Sequence, residues 1–144
     1  MKKLLMYLCM VLPFAFIACT DSDDENTIVG TWKNTGALPK EVNVTGNEEL
    51  KMRIGDHLIK MSGDGSTITF YENGQVAFSN GETATYSING KTLTFSYAGG
   101  HTVSSEYSID GRMLTIHEDV TGEYTNAYPN DVINKVVVAK LYGK

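Results

Sequence analysis

Six turn signals follow one another through the second half of the chain, and they constrain the fold more than any other feature. Asn73-Gly74, Asn80-Gly81, Asn89-Gly90, Gly99-Gly100, Asp110-Gly111 and Thr121-Gly122 are separated by steps of 7, 9, 10, 11 and 11 residues. Asn-Gly and Asp-Gly between alternating segments favour tight hairpins, because both residue types tolerate positive φ. Spacing this regular predicts consecutive antiparallel strands. Between the turns, apolar and polar residues alternate. "STITF" gives Ile68 and Phe70 to one face, and "QVAFS" gives Val76 and Phe78. If residues 72–74 form a three-residue bulged loop, Phe70 faces Val76 and Ile68 faces Phe78. A two-residue loop would put those pairs on opposite faces, so the apolar pattern selects the register.

The same division continues downstream. Tyr86, Ile88, Leu93, Phe95, Tyr97 and Val103 hold the apolar side, followed by Tyr107, Ile109, Leu114 and Ile116, while serines and threonines hold the other. One face is therefore buried and one is wet. "YSINGKTLTF" from Tyr86 and "YSIDGRMLTI" from Tyr107 are one hairpin written twice. Residues 45–65 break the pattern. Leu50, Ile54, Leu58 and Met61 stand at helical spacing, with Thr45 and Glu48 as a capping-box candidate and Gly63 as a stop. The last segment, "VINKVVVAKLY", is apolar on both parities and suits a strand that closes a barrel against "TIVGTWK". The expected fold is all-β: an antiparallel meander closing into an eight- or nine-stranded barrel, with one short helix between the first and second strands. Closure removes the exposed sheet edges.

The N-terminus reads as an address. Lys2 and Lys3 precede an uncharged apolar run over residues 4–18, and "FIAC" at residues 16–19 carries it into Cys19. A run of that length is short for a bilayer span and fits a secretory signal. "FIAC" resembles the lipobox of bacterial lipoproteins, which implies cleavage before Cys19 and acylation of its sulfur and new amine, with palmitate-type chains holding the protein at a membrane. Asp21, Asp23, Asp24 and Glu25 follow at once. They form a self-repelling tether, and they resemble the acidic export signal that one phylum of gut Gram-negative bacteria uses to place lipoproteins on the outer face of the outer membrane. The expected organisation is a signal peptide over residues 1–18, a lipidated cysteine and acidic tether over 19–26, and a barrel domain over 27–144.

With the address set apart, composition excludes several functions. The two cysteines, Cys9 and Cys19, both lie in it, so the barrel domain has no disulfide, thiolate metal site or cysteine nucleophile. The chain has 12 basic and 17 acidic residues; two lysines belong to the signal and four acids to the tether, leaving 10 against 13. A mildly acidic domain without a basic stripe is not a nucleic-acid binder. No catalytic elbow, phosphate loop or dinucleotide fingerprint is present. His57, His101 and His117 lack ligand spacing, and "HED" at residues 117–119 alternates faces along a strand. No enzyme activity, metal or cofactor is expected.

"IVGTWK" at residues 28–33 resembles the Gly-x-Trp start of lipocalins. Together with "ITFYENGQV" and the repeated hairpins, it is similar to the small lipocalin-like lipoproteins of those bacteria, over residues 28–144, with residues 34–63 matching loosely. The resemblance implies that Gly30 and Trp32 pack at the closed base of the barrel, with a basic residue of the last strand over the indole. Neither Arg53 nor Arg112 is in that strand, so Lys140 or Lys135 is expected there. Tyr86, Tyr97 and Tyr107 fall on the apolar face, where buried phenols need hydrogen-bond partners. They are the candidate ligand contacts if the barrel encloses a cavity, and filling if its core is solid. Two functions follow: a module that binds a small apolar ligand, with residues 47–61 as a lid, or a solid barrel that contacts a surface protein or glycan.

Overall fold

A computed structural model describes residues 27–61 and 63–144. The signal and tether, including Cys19, Asp21, Asp23, Asp24 and Glu25, lie outside the described residues. Eight antiparallel strands close into one barrel in chain order. They are β1 (Gly30–Thr45), β2 (Thr67–Phe70), β3 (Gln75–Phe78), β4 (Thr83–Asn89), β5 (Thr92–Tyr97), β6 (Thr102–Asp110), β7 (Met113–Asp119) and β8 (Val132–Gly143). Helix α1 (Glu48–Lys60) separates β1 from β2, as the sequence predicts, and a second helix, α2 (Thr121–Ala127), joins β7 to β8.

The hairpin registers follow the apolar parity. Ile68 pairs with Phe78 and Phe70 with Val76. The loop between them is the expected three-residue one, with Gly74 at φ 80 and its N–H donating to the Tyr71 carbonyl. The repeated hairpins differ in detail from expectation. Asn89 pairs with Thr92 and Asp110 with Met113, so the loops are Gly90-Lys91 and Gly111-Arg112. Only glycine has positive φ in the described chain, and glycine at the first central position is the type II′ arrangement. The Asn and Asp end their strands instead of making the turn. One consequence is that His117 faces Glu106, 3.3 Å away.

The first strand is far longer than "TIVGTWK". Its start, residues 30–33, pairs with β2, and from Lys33 to Thr45 it pairs with β8. Register shifts at Asn34/Gly36, Pro39/Glu41 and Asn43/Val44 bend this ribbon, and proline is tolerated in a strand at such irregularities. Helix α1 lies on the ribbon. Its N-cap is Asn47, whose side chain accepts from the Leu50 N–H, in place of the expected Thr45–Glu48 box. Leu50, Ile54 and Leu58 are buried against Val44, Val136 and Val138. Met61, the fourth member of the expected stripe, is exposed. A second cluster, with Trp32, Phe70, Leu93, Leu114 and Tyr142, fills the lower barrel. Two cores result, one inside the base and one under the helix. Most of the stability of a marginal helix such as α1 comes from this second burial.

Candidate functional site

The alternation that fills the base fails at the other end of the barrel. On β7, Leu114, Ile116 and Glu118 share the inward parity; opposite them on β8 stand Tyr142, Lys140 and Val138. Above the Leu114–Tyr142 pair, each of the next two inward pairs sets one charge against one apolar residue, Lys140 opposite Ile116 and Glu118 opposite Val138, which makes the carboxylate and the ammonium diagonal neighbours. Glu118 and Lys140 form an ion pair of 2.7 Å, with side chains 35% and 31% exposed. At that exposure neither charge is fully desolvated, so the pair survives without a large penalty while keeping lone pairs and N–H groups for another partner.

Two clefts meet at this pair. The first, of about 360 Å³, occupies the barrel mouth. Its apolar wall is Ile68, Phe78, Phe95, Val103 and Ile116, and its polar rim includes Asp64, Ser105 and the ion pair. The second, of about 530 Å³, lies between α1 and α2 over the end of β8, with Ile54, Leu58, Val120 and Val138 in its lining. Both are lined by Glu118 and Lys140, and both volumes fall in the range of small-molecule sites. The helices are tied across the second cleft: His57 Nδ1 and the Tyr124 hydroxyl are 2.7 Å apart, and the Arg53 guanidinium sits 5.9 Å from the centre of the Tyr128 ring. Helix α1 thus borders the second cleft, and none of its residues is among those lining the mouth cleft, which a lid would cover.

The acids shape the field in the mouth. Burial pushes the Tyr142 phenol well above its ordinary range, and Glu118 adds to the effect. Burial, with Glu82 and Glu118 behind it, also raises Tyr97. Both hydroxyls therefore stay protonated at neutral pH.

The three candidate tyrosines do not converge. Tyr97 lines the mouth cleft and stacks on Phe78 with centroids 6.1 Å apart. Tyr86 packs edge-on against Phe70 and donates its hydroxyl to the Tyr71 carbonyl at 2.9 Å. Tyr107 packs against the lower core. Neither is among the residues lining the mouth cleft. Both fill space.

At the base, Trp32 is fully buried and its indole N–H donates to the Ile28 carbonyl at 2.7 Å. The cation over the ring is Lys144, with Nζ 5.1 Å from the centroid, and not Lys140 or Lys135. Lys140 turns into the mouth, while Lys135 pairs with Asp119 on the outside. Lys144 is held at both ends: Nζ donates to the Val29 carbonyl, and its own carbonyl accepts from Arg112 Nε. Gly30, at φ 123, leaves room for it, since a Cβ there would stand 2.7 Å from Lys144 Cε.

Sequence reasoning missed Glu118, Lys140 and Lys144 as members of these sites. The available signal was a lysine on the same parity as Val136, Val138 and Tyr142. "HED" splits as alternation requires, with Glu118 inward and His117 and Asp119 outward. Among the described residues, no three metal-ligating side chains come together.

A family model described as a lipocalin-like domain matches residues 28–116. No curated protein and no solved structure matches the chain.

Proposed function

The chain belongs to the lipocalin-like domain family, and on that premise we propose that it is a lipid-anchored outer-membrane lipoprotein whose barrel mouth binds a small, largely apolar ligand. The observation that supports this reading is the cleft of about 360 Å³ above the filled lower core, apolar along its wall and closed on one side by the Glu118–Lys140 pair. An apolar wall supplies affinity through buried area, and a few fixed polar groups orient the ligand. Native mass spectrometry of protein extracted from its own cells tests it. A non-covalent small-molecule adduct is expected, and Val103→Trp, which places an indole over the cleft from a residue 38% exposed, is expected to abolish it. A wild-type spectrum without adduct, or an adduct unchanged in Val103→Trp, overturns the reading.

The anchor belongs to the same proposal and is supported by the lipobox resemblance at Cys19. The described chain enters at Thr27, beside the sealed base. A tether of eight residues reaches at most about 28 Å, so a lipid at Cys19 would hold the base toward the membrane and leave the mouth facing away. Incorporation of labelled palmitate, lost in Cys19→Ser, is the expected result; labelling that persists in that variant overturns the anchor.

A further inference from the structure

Resting on the ligand-binding reading above, we propose that the barrel mouth selects amphiphiles with a cationic or hydrogen-bond-donating head over carboxylates. Among the described residues, the charged side chains lining the mouth cleft are Asp64, Glu118 and Lys140, two acids against one base. Glu118 and Lys140 already satisfy each other at 2.7 Å. A carboxylate has acceptor positions beyond the one taken by Lys140, so an ammonium or hydroxyl head can add a bond to Glu118 without breaking the pair. An incoming carboxylate meets the opposite situation. To reach Lys140 it must approach Glu118 and Asp64, two like charges, or draw Lys140 away and leave Glu118 half-buried without its partner. The field points the same way, since Glu118 acts on both phenols near the cleft, Tyr97 and Tyr142. Arg53 does not offset it from the mouth: it lines the interhelical cleft, across the ion pair, with Glu123 on the same rim.

Three probes with the same tail separate the possibilities: decylamine, decanol and decanoate, titrated calorimetrically at pH 7 into the Cys19→Ser chain, which keeps every described residue. The amine and the alcohol are expected to bind at least tenfold more tightly than the acid. Glu118→Gln removes one negative charge and frees Lys140, so it should raise decanoate affinity by about tenfold and lower that of the amine. Circular dichroism checks that this variant folds, and Lys140→Met, which leaves both acids uncompensated, should shift the preference further toward the amine. Binding elsewhere on the chain would ignore both substitutions. Decanoate binding as tightly as the amine, or a preference that Glu118→Gln leaves unchanged, overturns the charge selection while leaving ligand binding intact. Failure of all three probes to bind overturns the ligand-binding reading together with this one.

Discussion

Substituting Gly30 by alanine tests how the base of the barrel is sealed. At φ 123 an alanine pays backbone strain, about 1–3 kcal/mol for a residue outside its populated regions. Its Cβ would also stand 2.7 Å from Lys144 Cε, and the lysine, being flexible, moves. Moving it forfeits the contact with the Trp32 ring, roughly 1 kcal/mol for a partly exposed cation over an aromatic face, and weakens the 2.7 Å bond from Nζ to the Val29 carbonyl. Gly30→Ala should therefore lower stability by about 2–4 kcal/mol, and Lys144→Ala by about 1 kcal/mol. The double variant is the decisive one. Once Lys144 is truncated, the new methyl has nothing to displace, so the double loss should fall short of the sum by about 1 kcal/mol. Urea unfolding followed by tryptophan emission measures this at the site itself, because Trp32 is the sole tryptophan of the chain. Losses that add without a shortfall would mean that Lys144 does not cover Trp32, and the account of the sealed base would fail.

Asn47 caps α1 and also donates to Asp131 at 2.8 Å, so Asn47→Ala should cost about 1–2 kcal/mol of stability in the same unfolding assay; no loss would remove the cap from the account. Asp119 is held down to about 2 from an ordinary 3.8, first by the Lys135 hydrogen bond and then by Thr121. Because the folded pKa is the lower one, this contribution is complete above the ordinary value and disappears as pH falls through about 2. Asp119→Asn should therefore flatten that part of the acid-unfolding profile, and an unchanged profile would refute the linkage. Replacing Asp21, Asp23, Asp24 and Glu25 by alanine should leave the lipid and the fold in place but protect the domain from protease added to intact cells; shaving as ready as in wild type would reduce the run to a solvated spacer.

The β2–β3 hairpin was legible because two independent constraints, apolar parity and loop length, agree only in one register, with Phe70 against Val76, whereas in the repeated hairpins the loop falls one residue later than Asn-Gly and Asp-Gly suggest. Helix α1 was legible because Leu50, Ile54 and Leu58 repeat at one turn per step. The extent of β1 was not. "NTGALPKEVNV" carries a glycine and a proline and alternates only over residues 41–44, and its strand character comes from pairing with β8 across three register shifts. Tertiary pairing there overrides local propensity. Helix α2 reads as a turn because it is seven residues long, contains Gly122 and has Val120 at its N-cap with no side-chain bond. The tyrosines were placed on the correct face, but parity does not give depth: Tyr86 and Tyr107 lie beside the filled core, and Tyr97 alone reaches the mouth cleft. Glu118 and Lys140 were hidden for a related reason. Glu118 reads as an ordinary surface charge and Lys140 as one candidate cation over Trp32, until the closing register of β7 on β8 brings both to the mouth.

The mouth of this barrel is the proposed ligand site, and its base is sealed by Trp32 and Lys144. Titrating decanol into isotopically labelled Cys19→Ser protein and following backbone amide shifts tests it most directly, since an uncharged probe asks only about the cavity. Saturable shifts should gather at Val103, Ser105, Ile116, Glu118 and Lys140, with Gly30 and Trp32 unmoved. Shifts centred on the base or on the outer Ser/Thr face, or no saturable shift at all, would contradict it.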